Sequence, residues 1–202
     1  AIQSEQNTPN LWRFDVASGE LKQLTFVKVA QDSSCTPDGK WMVYLGEWVT
    51  DNLEHIWKLS TAGGEPVELA RGRMNSFPSV SPDSSSVAYT QVEGQGASAK
   101  TKFVVQRLEG GTPVQELDAV SDAGPVVGWT PDGRALTYLH TIGSARHLFM
   151  QPLTGGAPVQ LTHFDTEPSS IIAWAWSRDG KKIAITRTRF NDTDVVMFSG
   201  FR

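Results

Sequence analysis

The sequence has few of the residues that form disulfides or metal sites. Its 202 residues include one cysteine, Cys35, which excludes an internal disulfide and a cysteine-based metal site. The histidines show neither His-x-x-x-His spacing nor a cysteine partner, which argues against zinc. They stand at positions 55, 140, 147 and 163. We therefore expect neither a metal nor a cofactor, and we expect His147 to face solvent.

Long apolar runs and an excess of positive charge are also missing. No run approaches the roughly 20 apolar residues that span a bilayer, and no charged-then-apolar leader opens the chain. The net charge is −4, from 18 Lys plus Arg and 22 Asp plus Glu, whereas nucleic-acid binding needs a basic face. We expect no nucleic-acid partner and no membrane contact by this chain itself.

Sequence signatures of catalysis are absent as well. There is no Gly-x-Ser-x-Gly turn that would expose a nucleophilic serine, no Gly-rich phosphate loop and no HRD or DFG kinase motif. Two acidic groups offer oxygens to calcium, yet neither lies in an Asp-x-Asp-x-Asp-Gly loop. They are Asp165 with Glu167, and Asn191 with Asp192 and Asp194. We interpret them as solvated loop acids and the chain as non-catalytic.

What the sequence does contain is an internal repeat with three markers. The first is a turn, TPDG at 36–39, SPDS at 81–84, TPDG at 130–133 and SRDG at 177–180, whose copies start 45, 49 and 47 residues apart. A strand-like run follows each turn, as in KWMVYLG from 40. The second marker is a strand ending in glycine, such as LWRFDVASGE from 11, and the third is a short run such as QLTF at 23–26. Four short strands in about 46 residues predict the blade of a β-propeller.

The turn residues have a structural interpretation. Proline presets φ, aspartate bonds nearby backbone N–H groups, and glycine accepts a positive φ. We therefore predict that the four turn aspartates form turns and are neither ligands nor catalytic acids; they are Asp38, Asp83, Asp132 and Asp179. Ser84 stands where the other turns of the Pro-Asp-Gly type have glycine, so we expect a strained or altered turn. The Gly-Gly pairs at 63–64, 110–111 and 155–156 predict hairpin turns.

Tryptophans recur at two positions of the repeat. Trp12 and Trp57 share a third-strand position with Val104 and Phe149, and Trp129 and Trp176 precede the turns where Cys35 and Val80 stand in other units. Because residues of different shapes substitute at each position, we predict packing between blades, with Cys35 a small buried residue. Trp48 lies outside the pattern and is the better candidate for an exposed contact. The insertion EGQGASAK at 93–100 predicts a protruding loop.

The strand count gives the organisation of the chain. We predict an all-β fold, a β-propeller of four-stranded antiparallel blades with about four to five blades present, as the C-terminal part of a larger propeller. The predicted boundaries are a partial blade at 1–30, whole blades at 31–75, 76–124 and 125–171, and a partial last blade at 172–202. The chain is expected to open with a third strand and to end with one, which leaves open blade edges and the possibility of a homo-oligomer.

The repeat resembles the TolB-like, WD-repeat-like β-propellers of bacteria over essentially the whole chain. The segments WTPDGRALTYLH at 129–140 and QPLTGGAPVQLTHF at 151–164 carry the resemblance most clearly. The end, WSRDGKKIAITRTRFNDTDVVMFSGFR at 176–202, is similar to the C-terminal propeller of bacterial receptor-type Ser/Thr protein kinases. In those proteins a cytoplasmic kinase and a membrane helix precede an extracytoplasmic propeller.

The resemblance implies a binding or sensing module outside the cytoplasm. Its partner is a protein or a small-molecule ligand that the sequence does not identify. Two alternatives stay open, because similar blades occur in the periplasmic TolB scaffold and in front of prolyl-oligopeptidase-type hydrolase domains. A propeller fold alone does not decide between them.

Overall fold

The computed structural model describes residues 2–3, 8–47, 53–73, 77–120, 123, 126–164, 169–189 and 192–199. In this part of the chain, three four-stranded antiparallel blades follow one another in sequence. Blade I contains β5 (Val29–Cys35), β6 (Trp41–Glu47), β7 (Glu54–Ser60) and β8 (Val67–Gly72). Blade II contains β9 (Ser79–Val80), β10 (Ser86–Glu93), β11 (Lys100–Arg107) and β12 (Gln115–Asp118). Blade III contains β13 (Val127–Trp129), β14 (Ala135–Ile142), β15 (Ala145–Pro152) and β16 (Val159–Gln160).

Incomplete sheets flank these blades in the described chain. The N-terminal partial blade contains β1 (Ile2–Gln3), β2 (Pro9–Asn10), β3 (Trp12–Phe14) and β4 (Leu21–Gln23). Blade IV contains β17 (Ser169–Trp176), β18 (Lys182–Arg189) and β19 (Asp192–Ser199). A single parallel pair, Ala145 with Ser169, joins it to blade III.

These sheets confirm the predicted all-β propeller of four-stranded antiparallel blades. The repeat also predicted the order of the strands, since β19 pairs with β18 as a third strand does. One strand was not predicted. Ile2 pairs with Asn10 as Gly46 of the second strand pairs with His55 of the third strand in blade I. β1 is therefore the end of a second strand. The blade boundaries themselves stay a prediction.

Each blade has two faces, of which one packs against the preceding blade and the other against the following blade. Successive side chains of a strand point to opposite sides of its sheet. In blade II, Val87 and Tyr89 pack against blade I and form the preceding face, whereas Ala88 packs against blade III and belongs to the following face. The same alternation gives one apolar cluster at each junction between neighbouring sheets.

The three tyrosines of the protein occupy one position of this pattern. Tyr44, Tyr89 and Tyr138 lie at the centre of the second strand and on the preceding face, and each is 1% exposed. Full burial of such a side chain stabilises the fold by roughly 1.5–3 kcal/mol. Burial also raises the pKa of Tyr44 and of Tyr89 to about 12. Blade IV has Ile185 at this position, also 1% exposed.

The hairpin glycines differ in one respect from the prediction. Gly63 and Gly64 have the expected positive φ, at 96° and 119°. However, the N–H of Gly63 donates to the carbonyl of Ser60, so Thr61 and Ala62 form the centre of the turn. The glycines follow the turn because the connection from β7 to β8 is longer than a two-residue hairpin loop.

The turn at Ser84 keeps the geometry of its glycine-containing copies. The φ of Ser84 is 62°, against 71° for Gly39, 68° for Gly133 and 69° for Gly180. The N–H of Ser84 donates to Ser81 as the N–H of Gly39 donates to Thr36. The expected alternative, a change of turn type, is therefore wrong: the type is retained and Ser84 adopts a left-handed conformation, which a side chain disfavours.

This geometry gives a stability prediction. The change Ser84→Gly removes the side chain that opposes a positive φ, so it should raise the free energy of unfolding by about 0.5–1 kcal/mol. The matched control is Gly39→Ala, since a Cβ at Gly39 would meet no atom within 4 Å. That control should lower the free energy by about 1–2 kcal/mol. Urea unfolding measures both changes, and a loss of stability in Ser84→Gly would contradict the interpretation.

Candidate functional site

The four turn aspartates accept hydrogen bonds within their own turns. Asp38 Oδ1 accepts from Thr36 Oγ1 at 2.6 Å and from the N–H of Lys40 at 3.1 Å. The same pair of bonds recurs at Asp83, Asp132 and Asp179. In each turn the side-chain hydrogen bond, followed by the backbone one, lowers the pKa of the aspartate. Hydrogen bonds to the charged form have this effect because they favour the carboxylate.

The structure places the four predicted tryptophans at or beside the junctions. Trp57 packs against the cluster between the N-terminal partial blade and blade I, where its ring stacks on His55 at 5.7 Å. Trp129 packs between blades II and III and donates from Nε1 to the carbonyl of Ser79 at 2.8 Å. Trp176 packs between blades III and IV. Trp12 lies on β3, half-buried.

Two predictions about burial are wrong. Cys35 is exposed, although it stands at the position that Trp129 occupies in blade III. Trp129 contacts Ser79 in the first strand of the preceding blade, whereas the described residues of the N-terminal partial blade include no first strand. His147 is 4% exposed, because it lies within β15 and its ring stacks on Phe164 at 5.5 Å. Trp48, Asp165, Glu167 and Asn191, like the side chains of Asp192 and Asp194, lie outside the described part of the chain.

The buried His147 belongs to a repeated polar position that sequence reasoning missed. Third strands have Asn10, His55, Lys102 and His147 two residues before the position of Trp57. Asn10 bonds Thr25 and Val27, His55 lies 3.2 Å from Glu68, and Lys102 lies 2.9–3.0 Å from Glu93 and Glu116. At His147, burial lowers the pKa most, a backbone hydrogen bond with Thr162 opposes the change, and charge interactions with His163, Arg187 and His140 add to the lowering.

A second repeated feature joins neighbouring blades at the end where the aspartate turns lie. A side chain of one blade donates a hydrogen bond to a main-chain carbonyl of the next blade. The acceptor always occupies the same position, in the turn between the third and fourth strands. Arg13 donates to Thr61 at 3.0 Å, Lys58 donates to Leu108 at 2.5 Å, and Gln115 donates to Leu153. We call these contacts the inter-blade clasps. Arg13 and Lys58 are equivalent residues, whereas the equivalent of blade II is Val105, and its register partner Gln115 supplies the donor instead.

The junction of blades III and IV has a wide groove at this same end. We call it the turn-end groove; its cavity volume is about 960 Å³. The corresponding groove of blades II and III has about 430 Å³ and contains the clasp residue Gln115. In blade III the positions of Val105 and Gln115 are held by Met150 and Val159, neither of which has a donor group. The described part of the chain therefore leaves the larger groove without a clasp.

The turn-end groove combines an apolar floor with a polar rim. Met150, Leu153 and Trp176 line the floor. Arg134 and Arg178, both exposed, stand at the rim with Asp132 and Asp179. Since each aspartate already accepts two or more hydrogen bonds in its own turn, the guanidinium groups are the donors available to a bound molecule. This arrangement suits a segment that pairs apolar side chains with carboxylates.

The turn aspartates give a prediction about acid stability. Because the folded-state pKa of Asp132 is lowered, its contribution is present above pH about 4 and is lost as the pH falls through the folded pKa. The variant Asp132→Asn should therefore lose less stability than the wild type between pH 5 and pH 2, measured by urea unfolding. The control Asp118→Asn, at an exposed position of β12 outside the turns, should follow the wild type. An unchanged acid dependence in Asp132→Asn would contradict the assignment.

His147 gives a second prediction, at higher pH. Its folded-state pKa is lowered from 6.5, so the unfolded chain takes up the proton first and stability should fall as the pH drops below about 6.5. The variant His147→Gln should flatten the dependence of the free energy of unfolding between pH 7.5 and pH 5. His163→Gln, at an exposed position, removes only a secondary contribution to the lowered pKa and should retain most of the dependence. A wild-type stability that is constant over this range would refute the prediction.

Comparisons with known proteins identify the fold. Neither a scan of protein families nor a search of curated proteins finds a match. The chain is similar to TolB from Acinetobacter baumannii, with a TM-score of 0.72 and 19% identity over 94% of this chain. It is similar to the putative TolB from Agrobacterium tumefaciens, with 0.73 and 16% over 94%, and to oligogalacturonate lyase from Vibrio parahaemolyticus, with 0.72 and 14% over 96%. The chain spans 46%, 70% and 56% of these structures. It therefore has a β-propeller fold like that of TolB.

Proposed function

We propose that this chain is a non-catalytic binding module that holds an extended protein segment in the turn-end groove. The observation that carries the proposal is the difference between two equivalent junctions. The groove between blades II and III is crossed by Gln115, whereas the groove between blades III and IV is open and about twice as large. An open concave site with an apolar floor and a few polar groups is the usual form of a binding site.

The proposed ligand follows from the groove's chemistry. The floor of Met150, Leu153 and Trp176 takes apolar side chains, and methionine and tryptophan adapt well to varied partners. Arg134 and Arg178 donate to carboxylates, with planar groups that bind both oxygens. A segment that alternates leucine with glutamate matches both features.

The proposed setting is the extracytoplasmic sensor region of a bacterial Ser/Thr kinase. The similarity of 176–202 to such propellers supports it. The structural similarity to TolB favours a second candidate, a periplasmic scaffold protein, and the propellers of prolyl endopeptidases share the fold too. Sequencing the gene upstream of the Ala1 codon separates them. A kinase domain and a membrane helix support the sensor, and a secretion signal directly before the propeller supports the scaffold.

A binding experiment tests the groove directly. The probe is a fluorescein-labelled peptide, Gly-Glu-Leu-Glu-Leu-Glu-Leu-Gly, titrated with the chain and followed by fluorescence anisotropy. We expect saturable binding by the wild type. The double variant Arg134→Gln/Arg178→Gln should bind about tenfold more weakly, because both guanidinium groups that donate to the carboxylates are lost.

Two controls separate this site from general electrostatic attraction. The double variant Lys100→Gln/Arg107→Gln removes the same charge from exposed positions outside the groove and should bind like the wild type. A peptide with lysine in place of glutamate should bind at least tenfold more weakly. Equal binding by the two double variants, or no saturation, would overturn the proposed site.

A further inference from the structure

Basic residues near the start of the third strand pair with carboxylates of the fourth strand in blades I and II. His55 Nδ1 lies 3.2 Å from Glu68 Oε2, and Lys102 Nζ lies 3.0 Å from Glu116 Oε2. Glu68 and Glu116 occupy one position of the repeat, since each is the register partner of the residue two places after the basic one. In both blades a carboxylate therefore stands ready to balance a positive charge at this position.

Blade III has the basic residue without the carboxylate. The two equivalent positions hold His147 and Gln160, and Gln160 donates from Nε2 to the carbonyl of Thr162 at 2.8 Å. The N-terminal partial blade has a neutral pair here, Asn10 and Gln23, in which Gln23 makes the equivalent bond. Among the described blades, blade III is thus the one whose basic side chain at this position faces no acidic residue on the fourth strand.

The surroundings of His147 oppose a positive charge. The side chain is 4% exposed, and its Nδ1 has no hydrogen-bond partner within the described residues, so the charged form gains no bond at that atom. The charged groups that act most on it come from three elements and all are basic: His140 on β14, His163 after β16 and Arg187 on β18. An imidazolium at this place therefore costs free energy through burial and through repulsion.

His147 is connected to blade IV through one aromatic ring. Phe164 stacks on His147 with the ring centroids 5.5 Å apart, and Cζ of Arg187 lies 4.0 Å from the centroid of the same ring. Arg187 belongs to blade IV, and Phe164 packs against the apolar cluster between blades III and IV. A guanidinium group over an aromatic ring is an attractive contact. A charge on His147 consequently acts on the junction between these two blades.

We propose that protonation of His147 opens the junction between blades III and IV at the end opposite the aspartate turns, while blades I and II stay closed. In the open junction water reaches the imidazole and stabilises its charged form. The open population therefore rises as the pH falls below about 6.5, the ordinary pKa of histidine, and it rises by at most about tenfold per pH unit.

Hydrogen exchange of the 202-residue chain, followed by mass spectrometry, tests the proposal. Labelling at pH 7.5 and at pH 5.5 is scaled to the intrinsic exchange rate at each pH, so that protection factors can be compared. In the wild type, the protection of β15 and β18 should fall several-fold at pH 5.5, and by no more than about tenfold. The protection of β6 and β7 in blade I should change by less than about twofold.

Two variants identify the group that titrates. His147→Gln removes the imidazole and should abolish the fall in protection. Gln160→Glu supplies the carboxylate that blades I and II have, so it should reduce the fall to less than about twofold. The matched control is Gln23→Glu, which adds the same charge and loses the equivalent hydrogen bond beside Asn10, a residue that does not titrate. It should retain the wild-type fall in β15 and β18.

The wild-type result alone can overturn the proposal, whatever the stability of the variants. Protection in β15 and β18 that is as independent of pH as in β6 and β7 would exclude an acid-sensitive junction. An equal loss of protection in all blades would exclude a local opening. A fall that persists in His147→Gln would exclude this histidine as the titrating group, and one that persists in Gln160→Glu would refute the role of the missing carboxylate.

Discussion

Every blade of this molecule depends on burying two faces at once. A four-stranded sheet of short strands has no interior of its own, so its apolar side chains are removed from water only by the sheets on either side. Residues 42–45 show this within one strand: Met42 and Tyr44 pack towards the N-terminal partial blade, and Val43 and Leu45 pack towards blade II. The alternation of a β-strand thus becomes the connection between neighbouring blades, and the stability of one sheet is a property of three.

Polar side chains form hydrogen bonds with main-chain groups that are not paired between neighbouring strands. Thr25 and Thr162, at one position of the repeat, accept the N–H groups of Leu11 and Leu148. Gln106 reaches from blade II to the carbonyl of Leu69 in blade I at 2.6 Å. The clasps act in the same way at the end where the aspartate turns lie. Buried backbone groups that lack such partners cost free energy, which gives these side chains a structural role between apolar surfaces.

Much of the architecture could be predicted from the sequence because the turns repeat with the strands. The turn at 130–133 and the strand after it define a blade without any knowledge of its neighbours. Burial at single positions depends on those neighbours and could not be predicted in the same way. Cys35 was expected to be buried because Trp129 and Trp176 are its equivalents, yet exposure at that position depends on a strand of the adjacent sheet.

The candidate site was the least predictable part. Arg134 and Arg178 look like ordinary surface residues in the sequence, and the groove between them lacks a clasp donor because Val159 stands where blade II has Gln115. A comparison of equivalent residues across blades would have revealed this replacement. His147 illustrates the same lesson, since its equivalents Asn10 and His55 already indicate a position that accepts polar residues in a buried environment.

The placement of the tyrosines makes the junctions optically distinct from the rest of the protein. Tyr44, Tyr89 and Tyr138 lie at three successive junctions, and the described chain has no tyrosine anywhere else. A phenol absorbs differently once it is ionised, and a buried phenol ionises only when water reaches it. Alkaline difference absorbance therefore records the opening of blade against blade, while the tryptophans record a mixture of environments. Each of these three junctions therefore contains one tyrosine whose absorbance reports on that junction.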